Sequence, residues 1–301
     1  MRRIAFLSLL LMLLAPATAA ADDVLVKRLT RYMRGAGASS GAHVVNLTTG
    51  ETLFHYRQNR ARILASNTKL FTTAAALARY GSEGTLGTEV LGAGALDADG
   101  VWRGSLYLRG GGDPTFGTKS FVGRSYGDGA SVERLAALLE DTGIERVSGR
   151  VYGDESRFDS LRGGPDSGYG TSIWVGPLSA LSFNRGLGNE RGSSFQANPP
   201  AFAALQLDAA LERRGVKVRL RPRSRVAPAE SEILASVDSP PMERLIELTN
   251  KPSDNFFAEM LLKDLALQAN GRGTTRGGAR LASGYARRLG SRVRMVDGSG
   301  L

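Results

Sequence analysis

The chain has 301 residues, no cysteine, two histidines and a net charge of +10. Without cysteine, a disulfide framework and a thiol nucleophile are both excluded. His43 and His55, with Glu51 the only carboxylate close to them in sequence, give little support to a metal site or a serine–histidine–aspartate triad. The positive excess is nearly all arginine, scattered except for Arg219, Arg221, Arg223 and Arg225. With neither a recognition motif nor interleaved aromatics, it points away from nucleic acid. Attraction to an anionic envelope polymer and plain solubility explain it equally well.

In chain order, Met1-Arg2-Arg3 is followed by an apolar run over 4–14 and small residues over 15–21. That is the layout of an export leader, cleaved after Ala19 or Ala21, and the apolar run is shorter than a span of about 20 residues. The spacing of Val24, Leu25, Leu29, Tyr32 and Met33 predicts a helix over 22–34. Residues 41–47 and 51–57, joined by Thr48-Thr49-Gly50, read as a hairpin. A helix follows over 66–80, closed by Gly81. From about 86 to 235, short strand-like runs such as 105–108 and 147–152 are broken repeatedly by glycine, with helices at 131–142 and 202–214. Residues 157–176 are rich in Gly, Ser and Asp and read as a surface excursion. Helices return at 242–249, 255–269 and, interrupted by glycine, near 278–289. The expected organisation is an α/β (α+β) domain split by a strand-rich insertion. Its parts are a leader over 1–21, a first part over 22–86, the insertion over 87–235 and a second part over 236–301.

Two short motifs carry chemistry. Ser66-Asn67-Thr68-Lys69 opens the 66–80 helix. Residues three apart share a helix face, so the Lys69 amine can reach the Ser66 hydroxyl, which needs a base before it can attack. Desolvation lowers a lysine pKa toward the range of a general base. A helix start also aims backbone N–H groups at an anionic intermediate. The alternative is that Ser66 caps its helix and Lys69 reaches into solvent. Against that, Leu70, Phe71 and Ala74-Ala75-Ala76-Leu77 mark a helix buried nearly all round, where a lysine needs a reason.

Ser253-Asp254-Asn255 is the second motif. It follows Lys251-Pro252 and leads into the apolar run 256–262. Ser182-Phe183-Asn184 has the same Ser-x-Asn pattern but no evident scaffold, so 253–255 is favoured. In this reading Ser253 passes a proton between Lys69 and the leaving group. Asn255 orients Lys69 and binds a substrate amide. The plainer reading makes Ser253 a helix cap and Glu259 with Lys263 an ordinary surface pair.

Taken together, the blocks resemble the class C low-molecular-mass penicillin-binding proteins, serine D-alanyl-D-alanine carboxypeptidase/endopeptidases of peptidoglycan. They are Ala65-Ser66-Asn67-Thr68-Lys69-Leu70, the block at 104–114 ending Gly110-Gly111-Gly112-Asp113-Pro114, the block at 149–154 with Phe158-Asp159, and 177–184. Asn250-Lys251-Pro252-Ser253-Asp254-Asn255, 258–263 and Val296-Asp297-Gly298-Ser299-Gly300-Leu301 complete the set. The resemblance implies a serine β-lactamase/transpeptidase-like domain and an exported protein of the periplasm or extracellular cell-wall space. Peptidoglycan stem peptides and β-lactams are the implied partners, with peripheral envelope association and no cofactor or metal. Ser66 would be acylated with Lys69 as base, Ser253 as proton shuttle and Asn255 as substrate ligand.

Relatives of this kind continue past Asp-Gly-Ser-Gly-Leu to a strand bearing Lys-Thr-Gly, which binds the substrate carboxylate. Here the lysines are at 27, 69, 119, 217, 251 and 263, and none precedes Thr-Gly or Ser-Gly. The expectation is therefore a C-terminally incomplete domain whose 41–57 hairpin lacks partner strands, with weak activity. The competing readings are a non-catalytic peptidoglycan-binding envelope module, a β-lactamase and an inactive gene remnant.

Overall fold

The computed structural model describes residues 17–189 and 191–301, in two units that divide between Ile63 and Leu64. The leader expected over 1–21 lies outside the described residues as far as residue 16. No helix among the described residues is long and apolar enough to cross a membrane.

In the first unit, α1 (Ala17–Gly35) takes in the helix expected over 22–34. The expected hairpin is formed by β1 (Ala42–Val45) and β2 (Thr52–Tyr56), antiparallel with His43 opposite His55. Its turn closes on the Asn46 side chain, whose oxygen accepts from the Thr48 and Thr49 N–H groups at 2.9 and 3.3 Å.

The second unit opens with a single 3-10 turn, Ala65–Asn67, that runs into α2 (Thr68–Tyr80). A six-stranded sheet follows, built from β3 (Gly87–Ala93), β4 (Val101–Trp102), β5 (Ser105–Gly110), β6 (Arg146–Asp154), β7 (Lys217–Ser224) and β8 (Glu232–Asp238). Strand β3 lies antiparallel between β5 and β8, while β6 lies parallel to β4, β5 and β7. Between the strands come α3 (Lys119–Tyr126), α4 (Val132–Asp141) and α5 (Pro199–Arg213). Helix α4 packs on β8 and on α5, and α5 packs on β6 and β7. Val90, Leu106, Leu108 and Val151 meet Leu135 and Leu207 in the core beneath them. Burial of such side chains contributes roughly 1.5–3 kcal/mol each.

The runs named from the sequence have no counterpart for β3, β4, β7, β8 or α3. In β7 the arginines at 219, 221 and 223 alternate along an exposed strand and Pro222 interrupts the donors, which hides the strand from an apolar-pattern search. Proline is tolerated there because β7 pairs only with β6, at an edge. Residues 157–176 are the irregular excursion expected, with one short 3-10 turn at Pro165–Ser167.

Four helices build the second core: α2, α6 (Met242–Asn250), α7 (Asn255–Asn270) and α8 (Thr275–Arg288). Every residue of α7 from Phe256 to Ala266 is buried, which explains a sequence apolar on several faces at once. Helix α8 begins earlier than the spacing suggested. Gly278 does not break it but lets it approach α7, since a Cβ there would lie 1.9 Å from the Leu262 carbonyl oxygen. A methyl group would force the two helices apart.

Candidate active site

Ser66 lies in the 3-10 turn, exposed, directly after Ala65, whose φ of +47° places it in the left-handed region. A non-glycine residue is held there only by its surroundings. Gly300 supplies part of that constraint: with φ +77°, it sits so close that a Cβ on it would be 1.9 Å from the Ala65 carbonyl oxygen. The Ser66 side chain caps no helix.

Lys69, in the first turn of α2, is 2% exposed. Its Nζ donates to Ser66 Oγ at 3.1 Å and to the Ser299 carbonyl at 2.9 Å. The solvated-lysine alternative is thereby overturned. Burial pushes the Lys69 pKa below its ordinary value, and the charges of Glu259, Asp254 and Asp297 oppose that shift. Such an amine can lose its proton and then take one back along the same 3.1 Å contact. Helix α2 is fixed at this depth by Thr72, which donates to the Gly298 carbonyl at 2.8 Å, and by Thr73, which accepts from Asn250 Nδ2 at 3.1 Å.

The second motif lies at the start of α7, which packs on α2. Ser253 is exposed and left-handed, with φ +59°. The residue that caps α7 is Asp254, which accepts from the Phe257 N–H at 3.0 Å, so the reading of Ser253 as the cap does not hold. Asn255 Nδ2 donates to the Trp174 carbonyl at 3.3 Å. No hydrogen bond joins Ser253 or Asn255 to Lys69 among the described residues. The contact that orients Lys69 comes from Ser299, because the 297–300 turn reaches the buried amine and the Asn255 amide is engaged elsewhere.

The other Ser-x-Asn segment is part of the framework. Ser182 is 1% exposed, and Asn184 Oδ1 accepts from the Thr118 N–H at 3.0 Å. Its neighbour Arg185, however, reaches the second motif and grips both Asp254 oxygens at 2.6 and 3.3 Å, with its guanidinium over the Phe256 ring.

Glu259 and Lys263 are not a surface pair. Both are buried, at 1% and 0% exposure. Lys263 donates to Asp159 at 2.5 Å and to the Leu161 carbonyl at 2.8 Å, tying the excursion to α7. Glu259 Oε1 accepts from the Gly298 and Ser299 N–H groups at 3.0 and 2.8 Å. Local spacing does not mark Glu259, Ser299 or Arg185 as parts of the site. The signal was present in the Asp297-Gly298-Ser299-Gly300 block, whose glycines permit close contact with both helices. Among the described residues no three His, Asp or Glu side chains converge as a metal ion would require.

The model of the D-Ala-D-Ala carboxypeptidase 3 (S13) family matches residues 25–189 and 188–301. The chain belongs to this family. It is a class C low-molecular-mass penicillin-binding protein. A D-alanyl-D-alanine carboxypeptidase of Actinomadura sp. (strain R39) is 37% identical over 126 residues, which is 42% of this chain and 21% of that relative. Among solved structures, penicillin binding protein 4 of Haemophilus influenzae superposes with a TM-score of 0.71 at 18% identity, over 91% of this chain and 73% of that one. A second structure of the same protein, complexed with a β-lactam, gives 0.65 at 18% identity over 91% and 72%. At this identity the likeness shows the fold alone.

Proposed function

We propose that this S13 protein is a serine-type D-alanyl-D-alanine carboxypeptidase/endopeptidase that forms an acyl-enzyme on Ser66. The observation that carries the reading is the 3.1 Å contact between Ser66 Oγ and a Lys69 amine that is itself 2% exposed. Neutral Lys69 takes the hydroxyl proton as Ser66 Oγ attacks the carbonyl carbon of the penultimate D-alanine. The tetrahedral oxyanion forms beside the N–H groups that open α2. On collapse the C–N bond breaks, and the leaving D-alanine amine receives the proton from Lys69 by way of Ser253. Water then hydrolyses the ester, giving the shortened stem peptide and regenerating Ser66. A β-lactam carbonyl would enter the same first step and leave its ring opened on Ser66. Asn255 serves as the substrate-amide ligand, exchanging its bond to the Trp174 carbonyl for one to substrate.

Export to the periplasm or cell-wall space, and the partition into a catalytic part over 22–86 and 236–301 with an insertion over 87–235, belong to the same proposal. No Lys-Thr-Gly occurs in the 301 residues, so the carboxylate clamp known from relatives is not among the groups invoked. The test is release of D-alanine from an N-acylated D-alanyl-D-alanine peptide, beside Ser66→Ala. Ser66-dependent release is expected. A folded protein that binds cell-wall polymer and releases none would favour the binding-module reading.

A further inference from the structure

We propose that Glu259 is a positioning residue for the Lys69 base, acting through the 297–300 turn. The inference rests on the reading of Lys69 as the base of Ser66.

Glu259 lies one helical turn beyond Asn255 on α7, on the side where the turn lies. A single oxygen, Oε1, holds two consecutive backbone N–H groups, those of Gly298 and Ser299, at 3.0 and 2.8 Å. The carbonyl of that same Ser299 accepts from Lys69 Nζ at 2.9 Å. The Ser299 carbonyl belongs to the next peptide group, whose own N–H, that of Gly300, donates to Asp297 Oδ1 at 2.7 Å, so both peptide groups flanking Ser299 are held. The chain of contacts therefore runs from the Glu259 carboxyl through Ser299 to the amine.

The turn has no room to settle elsewhere. A Cβ on Gly298 would lie 2.5 Å from the Ala258 carbonyl oxygen of α7, and the Gly298 carbonyl accepts from Thr72 of α2. Gly300 abuts Ala65 in the same way. The second oxygen, Oε2, is buried without a partner. Burial lifts the Glu259 carboxyl to about 7, so its charge changes near neutral pH. The charged groups coupled to it are Lys69 of α2, Asp297 of the turn and, one turn further along α7, Lys263 with its partner Asp159. An ionised Glu259 favours the ammonium form of Lys69, and its neutral form lets the amine lose its proton more readily.

The test uses the full chain with Glu259→Gln and Glu259→Ala. Glutamine keeps an oxygen for the two N–H groups but removes the charge. Alanine removes both. Two readouts are needed: the benzylpenicillin acylation rate, and titration of Lys69 by the 13C shift of its labelled Cε, assigned with Lys69→Arg. Glu259→Gln is expected to acylate within about 3-fold of the wild type and to move the Lys69 titration to lower pH. Glu259→Ala is expected to acylate at least about 10-fold more slowly. If alanine prevents folding, Glu259→Gln alone decides through the titration. The proposal is overturned if folded Glu259→Ala acylates at the wild-type rate, or if Glu259→Gln leaves the Lys69 titration where it was. A wild-type chain that forms no Ser66 adduct contradicts the acyl-enzyme reading instead, and the titration still decides the positioning claim.

Discussion

Two segments of this chain share the pattern Ser-x-Asn and meet opposite fates. In 182–184 the serine is buried and the asparagine carboxamide is spent on the Thr118 N–H. In 253–255 the serine is exposed, held left-handed, and set at the mouth of a helix that packs on α2. The intervening residue separates them further. Phe183 is core, while Asp254 caps α7 and is clamped by Arg185. What separates the candidate site from the framework segment is where the hydrogen-bonding capacity of each side chain is left after folding.

Alanine substitution at the two serines breaks the comparison most directly. Ser253→Ala is expected to lower the benzylpenicillin acylation rate by about 100-fold, the lower range for loss of a proton-transfer group. Ser182→Ala should leave that rate unchanged. Because the Ser182 hydroxyl is buried without a partner, its removal should also shift stability by less than about 1 kcal/mol. Equal effects at both sites would remove the distinction.

One contact of the candidate site, that between Ser66 and Lys69, was legible in the sequence, for reasons that stop at definite residues. Ser66 and Lys69 are three apart where the 3-10 turn runs into α2, so local spacing sufficed to bring them together, although α2 is not buried all round: Leu70 and Leu77 are exposed. The 256–262 run identifies α7 because a helix buried all round needs no periodicity to be seen. The contact between Glu259 and the 297–300 turn joins residues 39 and 40 positions apart, and no periodic pattern links them. Arg185 was hidden because it follows the decoy segment, and nothing local says that its side chain reaches Asp254. Strand β3, Gly-Thr-Glu-Val-Leu-Gly-Ala, escaped because Gly87 and Gly92 interrupt its apolar pattern and it lies between two partners.

The link between the two segments can be sharpened at Arg185. Arg185→Ala removes a bidentate pair and leaves Asp254 without its clamp, and an acylation rate lower by about 10-fold is expected. Arg185→Lys should recover little, since a point charge cannot span both oxygens. Stopped-flow acylation with both variants checks this. A smaller effect is expected at Asn184, where alanine orphans the Thr118 N–H. Chemical denaturation should show a loss of about 1–2 kcal/mol with the acylation rate preserved.

The smallest effect concerns pH. Burial raises Glu259 from 4.5, and Asp113 and Asp264 from 3.8, to about 7 in the folded chain. Between those values the folded chain holds protons that the unfolded chain has released. These groups therefore make stability fall as pH rises from about 4 to about 7. Denaturation midpoints across that window should decline less steeply in Glu259→Gln than in the wild type. An unchanged slope would contradict the raised carboxyl.

The most direct measurement is the intact mass of the purified chain after incubation with benzylpenicillin, beside Ser66→Ala. One covalent adduct per chain is expected, mapped to the Ser66 peptide and lost in the variant. A cooperatively folded wild-type protein without an adduct, or an adduct that survives Ser66→Ala, would contradict the acyl-enzyme reading.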